Sequence, residues 1–360
     1  MRILYTFILF SILINTAFAQ SDKSEIEQLR ADIRNLRHNF QALEKGIDDL
    51  LWYEKVRDVA YMDKVELTSA PIGKDKKITL GSYDPVYKTN PMRFKTYVFI
   101  PKDIDENKKY PLLVLPHGGV HSNFKSSLYA HIIRELVAQG YVVTAPEYRG
   151  STGYGKRFYE QIDYGGLEVQ DANAARDYVI ENYGFVDGDR TGILGWSHGG
   201  LITLMNLFEF PNDYKVGYAG VPVSDLIVRM GNKTQRYREL YEVDYHIGKS
   251  ANEDIEEYKR RSPAWQAEKL QTPLLIHTNT IDPDVTVSEV QYLITALKAA
   301  KKDFEYEIYE AVAGGHAFDR IDTKRAKEIR LKVYGFLNGY LKPAKAFKNV
   351  RQLQKAGYRY

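Results

Sequence analysis

Gly195-Trp196-Ser197-His198-Gly199 stands directly after the apolar run Thr191 to Leu194 and directly before a helical stretch, Leu201 to Phe208. A strand that turns at once into a helix holds the turning residue in a strained backbone conformation. Side chains at positions 195 and 199 would collide with neighbouring backbone, and glycine stands at both. With glycine at about 7% of residues, the five-residue pattern arises by chance in about one chain in ten of this length. Its setting between a strand and a helix is what gives it weight.

The rest of the chain supplies the sheet such a turn requires. Short apolar runs, Leu112 to Leu115, Tyr141 to Thr144, Thr191 to Leu194, Val216 to Ala219 and Leu274 to His277, alternate with helical stretches. They read as buried parallel strands joined by crossover helices, which gives an α/β three-layer sandwich with a mostly parallel sheet. From about Met62 to Pro101 the pattern alternates instead, as in Val65 to Thr68 and Arg93 to Ile100, and predicts opening antiparallel strands. The polar, tyrosine-rich segment from Asp225 to Arg261 interrupts the alternation and is a candidate lid. The last residues, 344–360, form a basic tail expected to be solvated.

Ahead of the sheet, Arg2 precedes an apolar run from Ile3 to Ile14, and Ala17-Phe18-Ala19 offers a small-x-small cleavage pattern. A signal peptide over residues 1–19, cut after Ala19, is expected. The apolar run falls short of the roughly 20 residues that span a membrane, so no stable insertion is expected after cleavage. Export places the protein in the periplasm or outside the cell. Residues 20–60 follow as a helical segment in which Ile26, Leu29, Ile33, Leu36, Phe40, Leu43, Ile47 and Leu50 are spaced alternately by three and four, a heptad seam. Two readings stand side by side: a coiled coil that makes a homo-oligomer or shades the site, and an amphipathic helix packed on its own catalytic domain, residues 61–343.

A serine hydroxyl becomes a good nucleophile only when a base takes its proton and a carboxylate holds that base in the right tautomer. Ser197 is the candidate nucleophile. His316, in Ala313-Gly314-Gly315-His316 after the strand Phe304 to Tyr309, is the candidate base, because it is the one histidine beyond the strand Leu274 to His277. The loop after that strand offers two acids, Asp282 and Asp284. Asp282 is favoured, with Asp284 expected to cap the helix that begins near Thr286 to Ser288; Asp225 is a third choice. For the oxyanion, backbone N–H groups are expected from His198 and from Gly119 of Pro116-His117-Gly118-Gly119. The His198 side chain is read as a wall of the site, and His117 and His121 as loop-packing residues.

Several function classes are disfavoured. The formal net charge is only +3 over 360 residues, with no basic stripe interleaved with aromatics, so nucleic acid is not an expected partner. There is no cysteine, which rules out disulfides, thiolate metal sites and a cysteine nucleophile. No metal or dinucleotide motif occurs, and no cofactor is expected.

Tyr148-Arg149-Gly150-Ser151-Thr152-Gly153-Tyr154-Gly155, Asp163-Tyr164-Gly165-Gly166, Asp171, Arg261-Ser262-Pro263, Thr272 to His277 and Gly315-His316, together with His117-Gly118-Gly119 and Gly195 to Gly200, resemble the catalytic domain of the prolyl oligopeptidase family, in its acylaminoacyl-peptidase-like branch. The likeness runs from about Tyr97 to Leu341. It implies the α/β-hydrolase fold, a Ser197, Asp282, His316 triad and an oxyanion hole from Gly119 and His198. Two departures count. His277-Thr278 stands where the family has His-Gly, with one residue more before the aspartate, which keeps Asp284 open as a rival. About eighty residues stand where full-length members carry a β-propeller, and no blade-like repeat is found in them, so dipeptidyl-peptidase activity does not carry over. The resemblance implies a serine-type peptidase cleaving peptide or amide bonds; a carboxylesterase acting, for instance, on acylated carbohydrate is the alternative, and a non-catalytic coiled-coil scaffold the remote one.

Overall fold

The computed structural model describes residues 2–71 and 91–358, with side chains from Ser24 onward other than that of Pro71. The side chains of the expected leader lie outside the described residues. In chain order the strands are β1 (Ala60–Pro71), β2 (Pro91–Pro101), β3 (Tyr110–Val114), β4 (Val142–Glu147), β5 (Val186–Trp196), β6 (Val216–Gly220), β7 (Leu274–Asn279) and β8 (Glu305–Tyr309). They form one sheet in the order β1-β2-β4-β3-β5-β6-β7-β8. β1, β2 and β4 pair antiparallel, and every pairing from β4 to β8 is parallel.

The helices are α1 (Arg2–Val56), α2 (Ser126–Ala138), α3 (Lys156–Tyr159), α4 (Leu167–Asn182), α5 (His198–Glu209), α6 (Leu226–Asn232), α7 (Gln235–Glu242), α8 (Ile255–Arg260), α9 (Val287–Ala299), α10 (Lys324–Leu341) and α11 (Val350–Gly357). Strand pleating divides the continuous apolar runs between two cores. Leu113, Leu115, Leu194, Tyr218 and Leu275 pack with Ile133 and Leu136 of α2 and Val333 and Leu337 of α10. Their strand neighbours Val114, Ile193, Ala219 and Ile276 pack on the other face with Ala172 of α4, Met205 of α5 and Leu293 of α9. This is the expected three-layer sandwich, with the sheet as the middle layer.

Two segments depart from expectation. The basic tail is not simply solvated: it forms α11, which buries Leu353 and sets Gly357 where a Cβ would lie 2.8 Å from a Glu135 carboxylate oxygen, while Arg134 donates to the Ala356 carbonyl at 3.3 Å. Phe347 just ahead of the helix packs on the same core, and Tyr358 just after it stacks on the His131 ring at 5.8 Å.

The second is α1. It packs on its own domain, but through the side opposite the heptad seam. Trp52 is fully buried, donates from Nε1 to the Phe124 carbonyl at 2.8 Å and stacks on the Phe124 ring at 5.1 Å. Lys45 is buried too and reaches Glu147 at the end of β4, 3.2 Å away. The seam residues Ile26 to Leu50 all face solvent. An amphipathic helix burying its apolar stripe on its own domain is therefore not what forms.

Candidate active site

The sharp turn forms as its glycines require. Ser197 sits at φ 59°, ψ −123°, in the left-handed half of backbone space that a non-glycine residue adopts only under constraint. A Cβ on Gly195 would lie 2.3 Å from the Gly199 carbonyl oxygen, and one on Gly199 would lie 2.3 Å from that of Pro116. The strained residue is held from both sides: Ser197 N–H donates to Gly220 O at 3.0 Å, and Val223 N–H donates to Ser197 O at 3.1 Å.

The loop after β3 lies against this turn. A Cβ on Gly118 would stand 2.9 Å from the Trp196 carbonyl oxygen and 3.5 Å from Ser197 Cβ, so only a bare backbone approaches this closely. Gly119 follows at φ +77°, its carbonyl accepting from Tyr148 Oη at 2.9 Å, which fixes the plane of the peptide that follows it. His117 packs the loop as expected: its Nε2 contacts Ser151 Oγ at 2.8 Å and its ring stacks on Tyr148 at 4.2 Å. Burial takes its pKa down to about 3, so it stays neutral.

His198 opens α5, where the first N–H groups have no partner within the helix. Its side chain is not a wall of an open site. The ring is fully buried, 5.0 Å from the Tyr164 ring and 5.7 Å from that of Tyr148, with Nε2 3.4 Å from Glu168 Oε1.

Of the acids, Asp282 meets His316: Oδ2 lies 2.7 Å from Nδ1. Its other oxygen accepts from the backbone N–H groups of Asp284 at 2.8 Å and Val285 at 3.0 Å, so the carboxylate cannot swing. Asp284 does not cap α9, whose N-cap is Thr286. Instead it binds Arg229 at 3.0 Å and Lys233 at 2.9 Å, and its Oδ2 stands 3.8 Å from His316 Nε2, beyond hydrogen-bond reach. Burial pushes the Asp284 carboxyl up, but Arg229, Lys233 and His316 outweigh it and hold it below the usual range. Asp225, the third choice, is consumed elsewhere: it caps α6 through Ile227 and Val228 N–H, at 2.9 and 3.0 Å.

His316 lies in a 3-10 turn entered through Gly314 at φ +110°, which a side chain would oppose. Asn279 at the end of β7 stitches this loop down, donating from Nδ2 to Val312 O at 2.8 Å and Gly315 O at 3.1 Å. Arg320 donates to the His316 carbonyl while its guanidinium lies 5.5 Å over the Trp196 ring, which ties the His316 loop to the residue before Ser197. Among the described residues no hydrogen bond joins Ser197 Oγ to His316; the imidazole is a quarter exposed, with Nε2 free of a direct bond. Such contacts are commonly loose in enzymes without substrate.

The interruption from Asp225 to Arg261 folds as α6, α7 and α8 and bridges the two sides of the site. Arg229 and Lys233 grip Asp284, in the loop that also carries Asp282, at one end. At the other, Tyr241 packs edge-on to Tyr164 at 4.7 Å, and His246 Nε2 meets His121 Nε2 at 2.8 Å. Sequence reasoning missed Arg229 and its partner Glu289, 3.4 Å away on α9. Burial raises the Glu289 carboxyl to about 7 although Arg229 opposes it, and Ser224 N–H donates to it at 2.9 Å. Lone charges sixty residues apart carry no local signal of such a pair. Glu168 and Glu147 were missed for the same reason.

A family model described as the prolyl oligopeptidase family matches residues 127–344. The chain is 29% identical over 319 residues to the acylamino-acid-releasing enzyme of Arabidopsis thaliana, covering 83% of this chain and 40% of the relative. It is 31% identical over 226 residues to dipeptidyl peptidase 8 of Homo sapiens, covering 59% and 24%. Thus the chain spans less than half the length of these curated relatives. Among solved structures, puromycin hydrolase superposes with a TM-score of 0.64 at 22% identity over 79% of this chain and 40% of that one. The acylaminoacyl peptidase of Pyrococcus horikoshii superposes at 0.62 and 19%, over 84% and 45%. At these identities the structural likeness speaks for the fold.

Proposed function

Since this chain belongs to the prolyl oligopeptidase family of serine-type peptidases, we propose that it cleaves peptide or amide bonds by acyl transfer to water, with Ser197 as nucleophile, His316 as base and Asp282 as the acid behind the base. In the first half-reaction Ser197 Oγ adds to the scissile carbonyl carbon as His316 Nε2 takes its proton. The oxyanion that forms is met by the N–H groups of Gly119 and His198. Collapse expels the amine, which receives that proton, and leaves an ester on Ser197; water then repeats the sequence and frees the acid.

The observation that carries this reading is the 2.7 Å contact between Asp282 Oδ2 and His316 Nδ1. A proton on Nδ1 leaves Nε2 as the lone pair available to a hydroxyl. With Asp282 held by two backbone amides, the tautomer is set before substrate arrives. We also propose that the chain is exported and its leader removed, because the apolar run before Ala17-Phe18-Ala19 has the form of a cleavable leader; secreted protein whose first residue is Gln20 would support this, and chain that stays inside the cell with Met1 intact would refute it.

The test of the activity pairs a fluorophosphonate probe with substrate panels. Wild type should take the label and Ser197→Ala should not; a wild type that refuses the label points to a non-catalytic scaffold. Aminoacyl anilides and p-nitrophenyl esters should both turn over, since the nucleophile and oxyanion donors serve either. Turnover of esters alone would make the protein a carboxylesterase and end the peptidase reading.

A further inference from the structure

We propose that α1 is one strand of a parallel, in-register two-stranded coiled coil, and that the partner it fits is a second copy of this chain. The eight seam residues Ile26, Leu29, Ile33, Leu36, Phe40, Leu43, Ile47 and Leu50 are between 49% and 74% exposed, a continuous apolar line about 37 Å long. An isolated soluble domain rarely leaves so long a stripe uncovered.

The helix is already docked by its back. Placing Ile26 at heptad position a puts His38, Lys45 and Trp52 at f, directly opposite the seam, and these are the residues that meet the body of the protein. The His38 ring lies 5.1 Å from that of Tyr159, Lys45 reaches Glu147 and Trp52 is fully buried. Two copies joined along the seam therefore carry their catalytic domains on opposite outer sides, where they do not compete for space.

Side-chain shape and charge choose the partner. Position a holds Ile26, Ile33, Phe40 and Ile47, and position d holds Leu29, Leu36, Leu43 and Leu50. A β-branched residue at a with leucine at d favours two parallel strands over three or four. Between parallel copies in register, each g residue meets the e residue five positions on in its partner. Glu25 then faces Arg30 and Asp32 faces Arg37, and symmetry doubles both attractive pairs. Full-overlap antiparallel pairing keeps Arg30 opposite Glu44 but sets Arg37 of one copy against Arg37 of the other and leaves Glu25 and Asp32 without a cation across the seam. The seam is also narrow, two positions in seven with charges on its flanks, whereas a helix lying in a membrane surface presents a wider apolar face.

The cysteine-free sequence makes the register directly readable. The purified full chain should sediment at twice its monomer mass. The variant Leu29→Glu/Leu36→Glu should sediment as a monomer while keeping wild-type reactivity toward the fluorophosphonate probe, a control for folding. Leu36→Cys should close a covalent dimer under mild oxidation, because d residues face their own copies only in parallel register. Arg37→Glu should weaken self-association about tenfold, and adding Asp32→Arg should restore it. A wild type that is monomeric at tens of micromolar, association that survives Leu29→Glu/Leu36→Glu, a trimer or tetramer, or a Leu36→Cys chain that joins only to a Phe40→Cys chain would each overturn the proposal.

Discussion

At the scale of single residues, the two aspartates of one loop divide the work, and their surroundings say how. Asp282 spends one oxygen on two backbone amides and the other on His316, whereas Asp284 spends its charge on Arg229 and Lys233. Asp282→Asn keeps the shape but offers an amide to Nδ1, which favours the wrong tautomer; kcat should fall by about 10⁴ with KM little changed. Asp284→Asn removes a charge that is already neutralised and should cost less than tenfold. If the larger loss fell on Asp284, the acid would be misassigned. The turns that carry Ser197 and His316 were legible because glycine punctuates both loops, at Gly195 and Gly199 and again at Gly314 and Gly315, and steric need writes itself into local sequence. Which aspartate meets His316 was legible only in part, since Asp282 and Asp284 have the same local setting and differ by partners, Arg229 and Lys233, that no spacing rule reaches. Nothing around position 198 announced that its imidazole would be buried beside Glu168.

Among the elements, the strands were read from apolar runs, and the parallel run came out nearly as expected because a strand covered on both faces has to be apolar throughout. What the runs could not say is which face each residue takes, a matter of pleat phase that register decides. α1 was the harder element. Its apolar periodicity pointed at a partner, yet its docking on the catalytic domain is polar and aromatic, built on Lys45, Asp49, Tyr97 and Glu147 around Trp52. Lys45 bonds Asp49 at 2.9 Å and contacts Tyr97, while Lys64 joins Asp49 at 2.6 Å. Burial raises the Glu147 carboxyl, and Lys45 and Lys64 act against that. Removing one member of a buried pair strands the other charge, at a cost of about 3 to 5 kcal/mol, so Lys45→Met should lower the urea midpoint accordingly. Lys45→Met/Glu147→Gln should recover a good part of that loss. Equal losses in the single and double variants would show that the pair is not coupled. Because Glu147 also stands 3.5 Å from His117 Nε2 and accepts from Phe124 N–H, the single variant should also reduce kcat through the loop that carries Gly119.

For the molecule as a whole, the fold buries several imidazoles wholly or in part, and this couples its stability to pH. Burial lowers His117 and His131 to about 3 and His121 and His277 to about 4. In the unfolded chain each takes a proton near 6.5, so between that pH and the folded value the unfolded state binds more protons and stability falls as the solution is acidified. Raised carboxyls work in the opposite sense: Glu289, at about 7, gains its proton in the folded state first and so offsets part of the loss. A difference between two chains that share every other group isolates a single term. His277 is the clean site, because both its ring nitrogens are buried without a hydrogen-bond partner among the described residues and Tyr218 and Tyr309 flank it at 5.4 and 5.1 Å. His277→Leu exchanges an unpaired polar ring for an apolar side chain of similar size and should be neutral or mildly stabilising at pH 7.5. At pH 4.5 the wild type should have lost about 2 to 3 kcal/mol relative to the variant, most of it between pH 6.5 and 4.5. Urea titrations of both chains across that range measure it directly. Parallel curves for the two would mean that His277 takes up its proton in the folded protein as readily as in the unfolded one, and that its burial does not set the acid limit.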